Sequence, residues 1–296
     1  LVLSHVDAPH PAIEISDPEL CYGYFGRVIT GIKVAKSPSA LRYRLTACGI
    51  RPISNVVDVT NYILMECGQP LHSFDLARIR GGRVIVAPAK EGEHFTTLDG
   101  KERVLKADDL TIRDNDGVVA LAGVMGGLDS EITEASAGVF LESAVFRPAT
   151  IRRTSRRLGL SSEASFRFER GIDQGRSRWS LDRACAMIQQ LAGGEVSDRL
   201  CENEPRPFVP VQVEFRPARC AALLGVDPGS DFERHVLTGL GCEVKGDGAT
   251  WTVPQPSWRP DLTREADLIE EVARYYGMDR VEPVPPPISR SLEDVL

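Results

Sequence analysis

Glu142 stands in Phe140-Leu141-Glu142-Ser143-Ala144-Val145-Phe146, a carboxylate inside a run that is otherwise apolar or small. A buried Glu is costly unless it is paired or hydrogen-bonded. It is either a solvent-face residue, because Leu141 and Ser143 alternate with it, or an acceptor at the base of a pocket. His72 lies in Gly68-Gln69-Pro70-Leu71-His72-Ser73-Phe74-Asp75, on a loop after a proline. Ahead of it, Asn55-Val56-Val57-Asp58-Val59-Thr60-Asn61-Tyr62 sets polar side chains in an apolar frame. Asp58, Asn61 and Gln69 suit caps and loop ties, the usual local use of such residues. His72 suits a polar group facing a pocket. Val124-Met125-Gly126-Gly127 follows a strand. Its glycines either make a plain turn or let the backbone approach a ligand and present N–H groups.

Two charged groupings carry further chemistry. Arg152, Arg153, Arg156 and Arg157 fall on one helical face, where they either meet phosphates or form a solvated basic surface. In Trp258–Gly277, Asp267, Glu270 and Glu271 share a helical face, and Asp261 lies near the helix start. Gathered carboxylates are hard oxygen ligands suited to Mg²⁺. Alternatively Asp261 caps the helix and the other acids pair with Arg264 and Arg274. No Walker loop, GxGxxG, HExxH or GxSxG element is present.

The elements that position these residues are legible in outline. Extended segments are expected at Tyr24–Val34, Arg83–Ala87 and Gly138–Phe146. Hairpins are expected around Asp99-Gly100 and Asp116-Gly117. Helices are expected over Ser39–Cys48, from a Ser54 cap to Cys67, from Pro148 to Gly159, and over 173–192. Strands in the middle with helices at the ends make an α+β fold. Proline-rich stretches at Glu202–Pro210 and Glu282–Pro287 divide the chain into a large part, 1–201, a small part, 208–281, and a tail, 282–296. The small part shows helices over 217–224, 231–239 and 262–276, with a hairpin at Gly246-Asp247-Gly248. That order is winged-helix-like.

Composition bounds the function. The 296 residues carry a net charge of −7, which excludes a uniformly basic nucleic-acid coat and leaves room for a local patch. No apolar run reaches the ~18 residues of a membrane span. Seven scattered cysteines, never spaced as CxxC, fit a reducing cytosol better than a disulfide framework or zinc knuckle. Neither an initiator Met nor a signal peptide opens the chain, which reads as a segment of a longer protein.

The run Asn55–Ile79, the Leu141-Glu142 strand, Arg156–Gly171 and Trp258–Gly277, in that order, resemble the beta subunit of bacterial phenylalanine–tRNA ligase. The resemblance spans essentially the whole chain. It implies a strand-rich editing domain followed by the small winged-helix-like domain. It implies a pocket that hydrolyses tyrosine wrongly attached to the phenylalanine tRNA. Glu142 would accept the hydroxyl that distinguishes tyrosine from phenylalanine. His72, Thr60 and Asn61 would surround the ester, and Gly126, Ser162 and Ala164 would line the same cleft. Ser162 stands where many relatives have Thr. With no side-chain nucleophile evident, water is the expected attacking group. The resemblance further implies that Asp261, Asp267, Glu270 and Glu271 share Mg²⁺ with the alpha subunit. ATP and phenylalanine would bind that subunit and not this segment. The implied partners are the phenylalanine tRNA and the alpha subunit, in a cytoplasmic alpha2-beta2 assembly without membrane or DNA. A non-catalytic scaffold that positions subunits and tRNA is the alternative.

Overall fold

The computed structural model describes residues 1–282, so the proline-rich stretch from Pro283 and the rest of the expected tail lie outside the described residues. In chain order the elements are Leu3–Ser4 (β1), Ala12–Ile15 (β2), Cys21–Thr30 (β3), Ser39–Ala47 (α1), Val57–Cys67 (α2), Leu71–Asp75 (β4), Arg83–Pro88 (β5), His94–Thr96 (β6), Glu102–Val104 (β7), Leu110–Arg113 (β8), Val118–Leu121 (β9), Met125–Gly126 (β10) and Gly138–Phe146 (β11). They continue with Pro148–Leu158 (α3), Glu163–Phe168 (α4), Ser177–Ala192 (α5), Glu195–Asn203 (β12), Gln212–Phe215 (β13), Pro217–Leu224 (α6), Ser230–Gly239 (α7), Trp251–Pro254 (β14) and Glu265–Tyr276 (α8). The α+β class read from the sequence holds. Two compact units divide after Phe208.

The first unit contains two five-stranded sheets. One has the order β1-β12-β3-β11-β4 and the other β10-β9-β8-β5-β2. The long strands β3 and β11 pair antiparallel, with Glu142 opposite Gly26, and β4 joins on the other side with His72 opposite Glu142. Side chains alternate across a strand, so β11 serves two cores. Phe140 and Ala144 join Tyr24, Val28 and Phe74 against Val84, Ile112 and Leu121 of the second sheet. Val139, Leu141 and Val145 face the other way, onto Leu45, Val59, Ile63, Leu181 and Ile188 of α1, α2 and α5. Glu142 shares the parity of Phe140 and therefore points between the two sheets.

The unit departs from the sequence reading in several places. His72, read on a loop, lies in strand β4. Strand β12 continues to Asn203, into the proline-rich stretch, because it pairs along β3 through Asn203 opposite Tyr24. The extended segment expected at Tyr24–Val34 runs instead from Cys21 to Thr30, and Gly31 turns away at φ 68°.

The second unit packs α6, α7 and α8 against the β13–β14 pair around Phe215, Leu237, Trp251, Leu268 and Val272. The hairpin expected at Gly246–Gly248 closes through a single bridge, Lys245 to Thr252, and its second arm pairs with β13. Strand β13 was not anticipated, since prolines surround it. The last helix begins at Glu265, not at residue 262. The Asp267 carboxylate accepts from the backbone N–H of Thr263 at 3.1 Å and of Arg264 at 2.8 Å, which fixes the start there.

Candidate active site between the two sheets

Glu142 is 5% exposed and lines a small cavity with His72, Pro70, Leu71, Met125, Gly126, Ala164 and Phe168. The solvent-face alternative for Glu142 is thereby excluded. Direct pairing in the β4–β11 ladder sets His72 beside it on the same face. The second sheet contributes Ile112, Ala120 and Leu121 to the opposite wall, and α4 closes the side. The cavity measures about 70 Å³, room for a few waters and far less than the ~300 Å³ of a typical small-molecule site. A ligand of amino-acid size would have to widen it.

The electrostatics follow from burial. Desolvation pushes the Glu142 carboxyl up to about 8, against a smaller downward pull from the Tyr24 hydroxyl, which donates to Oε2 at 2.7 Å. At neutral pH the carboxyl is mostly protonated. His72 keeps some surface toward the cavity, but protein surrounds its ring, and that desolvation lowers its pKa to about 4. The imidazole is therefore neutral at pH 7. Its ring meets Phe74 edge-on, with centroids 4.4 Å apart.

Gly126 has a specific steric reason. A Cβ there would fall 2.5 Å from His72 Cε1 and 2.8 Å from Nε2. At Gly127 it would fall 2.7 Å from the Phe95 ring. Neither glycine has positive φ. The pair is thus not a turn; Gly126 makes room for the His72 ring, and Gly127 for the Val119 carbonyl, 2.6 Å from the place of a Cβ, and the Phe95 ring.

The remaining predicted pocket residues separate. Ala164 lines the cavity from the first turn of α4. Ser162 does not; it caps α4, accepting from the Ser165 N–H at 3.0 Å and donating to the Val124 carbonyl at 2.8 Å. Its hydroxyl ties α4 to the strand that carries Gly126. Thr60 and Asn61 do not line the cavity either. They lie on α2, which packs on the other face of the first sheet, and the Thr60 hydroxyl donates to Val57 O at 2.8 Å. Asn61 is partly exposed, one turn before Met65, whose sulfur lies 3.4 Å from Arg167 of α4. The cap-and-tie reading holds for Asp58, which accepts from the Ile53 N–H at 2.7 Å, and for Gln69, which donates to Pro70 O and Ala144 O. Tyr24 was missed. Its position two residues before Gly26 on β3 becomes informative only once the β3–β11 register is known.

A larger cavity of about 280 Å³ opens at Gly127 and is lined by Arg78, Arg80, His94, Asp114, Asp116 and Asp129. It holds none of the predicted site residues, and much of its charge is internally matched. Arg80 pairs with Asp116 and His94 with Glu102.

The four arginines of α3 divide into two pairs. Arg153 binds Asp108 at 2.9 Å and Arg157 binds the buried Asp109. Both tie α3 to the loop before β8. Arg152 and Arg156 are exposed one turn apart, without an ion-pair partner among the described residues. The face the four arginines share is thus split, with two engaged in ion pairs and two open to solvent.

The acids of the second unit do not fit a metal ion as they stand. Arg259 bridges Asp261 and Glu271, each at 2.6 Å, and Arg274 also binds Glu271. Asp267 is taken by Arg264 and the helix start, while Glu270 is exposed. Among the described residues no cluster of three or more His, Cys, Asp or Glu is arranged for a metal. In this chain arginines already pair with Asp261, Asp267 and Glu271, so the Mg²⁺ site expected to be shared with an alpha subunit is not preformed here.

Residues 20–193 match the family model described as the B3/4 domain, and residues 213–278 match the tRNA synthetase B5 domain. The chain belongs to the B3/4 domain family. It is 57% identical over 282 residues to the phenylalanine–tRNA ligase beta subunit of Oleidesulfovibrio alaskensis, covering 95% of this chain and 35% of that protein. The corresponding subunit of Nitratidesulfovibrio vulgaris is 56% identical with the same coverages, and that of Anaeromyxobacter dehalogenans 47% over 94% of this chain and 35% of that protein. The chain thus spans about a third of the length of these relatives. The resemblance to the beta subunit read from the sequence is borne out. The two family matches fall one in each compact unit.

All seven cysteines of this B3/4–B5 chain are free, and no described helix is long and apolar enough to cross a membrane.

Proposed function

We propose that the B3/4 unit hydrolyses the ester of tyrosine misattached to the phenylalanine tRNA, as part of a phenylalanine–tRNA ligase beta subunit that works with an alpha subunit. The supporting observation is the side-by-side placement of Glu142 and His72 on one face of a sheet, in a cavity otherwise walled by apolar side chains. Tyrosine and phenylalanine differ by one hydroxyl. A site that hydrogen-bonds that hydroxyl rejects the analogue lacking it, because its own buried polar group is then left unpaired. Glu142 is that buried group. The neutral His72 imidazole, on the adjacent strand, orients the attacking water at the ester. Its lowered basicity favours orientation over complete deprotonation of the water. Ala164 lies in the first turn of α4, where backbone N–H groups lack intrahelical acceptors and suit a developing oxyanion. Asn61 acts at most at the rim, toward the tRNA end. Arg152 and Arg156 supply the phosphate contact. ATP and phenylalanine are used by the alpha subunit.

The test is tyrosyl-tRNA deacylation by the assembled enzyme. Glu142→Ala is expected to slow it at least about 10-fold while phenylalanine charging is unchanged. Undiminished deacylation returns the segment to the scaffold reading.

A further inference from the structure

We propose that Tyr24 is a positioning residue for Glu142: its phenol holds Oε2 from within the sheet, so that Oε1 is the oxygen presented to the cavity and to the substrate. This rests on the editing function proposed above.

The geometry has three parts. Tyr24 pairs with Ala144 in the β3–β11 ladder while Glu142 pairs with Gly26, so the two side chains are diagonal neighbours on one face. Gly26 lies between them without a side chain. A Cβ there would sit 2.1 Å from the Phe140 ring, so no larger residue fits that position. The Phe140 ring takes that space, and the Tyr24 hydroxyl donates to Oε2 at 2.7 Å. Tyr24 itself has no exposed surface, so no bulk water competes for its hydroxyl.

The chemistry follows from which oxygen is taken. Burial and the neighbouring Glu142 push the Tyr24 phenol well above its usual range, so it remains an O–H donor. An oxygen that accepts this bond is the carbonyl oxygen of the protonated carboxyl. The acid proton is then carried by Oε1, facing the cavity. Below about pH 8 the pocket presents an O–H donor, and above it an ionised acceptor. A tyrosine phenol satisfies either form, and a phenylalanine ring satisfies neither. Without Tyr24 the carboxyl is free to turn, and either oxygen reaches the cavity.

The other titratable groups near the Tyr24–Glu142 pair are His72 on β4, Cys21 on β3 and Cys201 on β12. His72 is already neutral at pH 7, and burial raises both thiols. The cavity wall from the second sheet and α4 carries no titratable side chain. Tyr24 is thus the hydrogen-bonding neighbour that tunes Glu142.

The experiment reads the Glu142 carboxyl directly, by ¹³C NMR or isotope-edited infrared titration of this chain. Tyr24→Phe removes the bond that favours the carboxylate, so the midpoint rises by about 1–2 units. Incorporating 3-fluorotyrosine at position 24 makes the phenol a stronger donor at nearly the same size, and the midpoint falls. In the assembled enzyme, Tyr24→Phe lowers the preference for tyrosyl- over phenylalanyl-tRNA deacylation about 10-fold. A midpoint that moves with neither replacement overturns the proposal, even if Tyr24→Phe folds poorly, because the fluorinated chain retains the native shape. Undisturbed selectivity in Tyr24→Phe, where Glu142→Ala abolishes editing, also overturns it. Deacylation indifferent to Glu142→Ala overturns the editing function instead, while the midpoint shifts still report whether Tyr24 holds the carboxyl.

Discussion

Replacing Glu142 by Gln should change how the stability of the first unit depends on pH. In the folded chain the carboxyl titrates at about 8, against an ordinary 4.5. The difference of about 3.5 units, at ~1.36 kcal/mol per unit, is about 5 kcal/mol in full. Because the folded value is raised, the unit is fully stable with respect to this group below pH ~4.5. Stability is then lost as pH rises, up to the folded value near 8. Between pH 5 and 9 the loss amounts to about 4 kcal/mol. Gln cannot ionise. Its carbonyl accepts from Tyr24 and its NH₂ faces the cavity, as the protonated acid would. Wild type and Glu142→Gln should therefore have similar stability at pH 5, with the variant ahead by about 4 kcal/mol at pH 9. Hydrogen exchange at the amides of β3 and β11, corrected for intrinsic rates, reads the first unit without the second. A difference between the two chains that stays constant from pH 5 to 9 would refute the argument, since it would mean that Glu142 ionises as freely folded as unfolded.

The opposite sign holds for His72, whose folded pKa of about 4 lies below the ordinary 6.5. Its contribution is present above pH ~6.5 and lost as pH falls toward 4, and His72→Phe should flatten that acid limb in the same exchange measurement. Gly126→Ala should drive the imidazole out of place, given a Cβ only 2.5 Å from Cε1, and cut deacylation more than it lowers the melting temperature. Arg152→Glu with Arg156→Glu should weaken tRNA binding and flatten its salt dependence, with unchanged folding. Arg157→Ala should instead destabilise the first unit by about 1–3 kcal/mol, because the buried Asp109 loses its countercharge and keeps only the Thr154 and Lys106 hydrogen bonds; denaturant titration separates the two pairs. Mg²⁺ added to this chain without an alpha subunit should leave the unfolding temperature of the second unit unchanged, and a saturable rise that Asp261→Asn removes would show that these acids hold the ion unaided.

Local chemistry determined much of this protein from the sequence alone. Glycines and prolines punctuated α2, α3, α6 and the two hairpins of the first unit, because those residues restrict φ and ψ whatever surrounds them. An acid in an apolar strand was marked as unusual because burying it without a partner is costly, and a histidine after a proline as a polar group suited to a pocket. Long ordered motifs carried the family resemblance. Tertiary structure decided the rest. The pairing of β4 with β11 set Glu142 beside His72, and the pairing of β3 with β11 brought Tyr24 behind it. These contacts join residues 70 and 118 positions apart, which no local pattern encodes. Strand β12 was invisible in isolation because its place depends on the open edge of β3. The charged motifs left alternatives open for a related reason. Spacing along a helix says which side chains share a face, but not whether a neighbouring arginine or aspartate has already claimed them. Arg259 on Asp261 and Glu271, and Asp109 on Arg157, are partners supplied by the folded backbone.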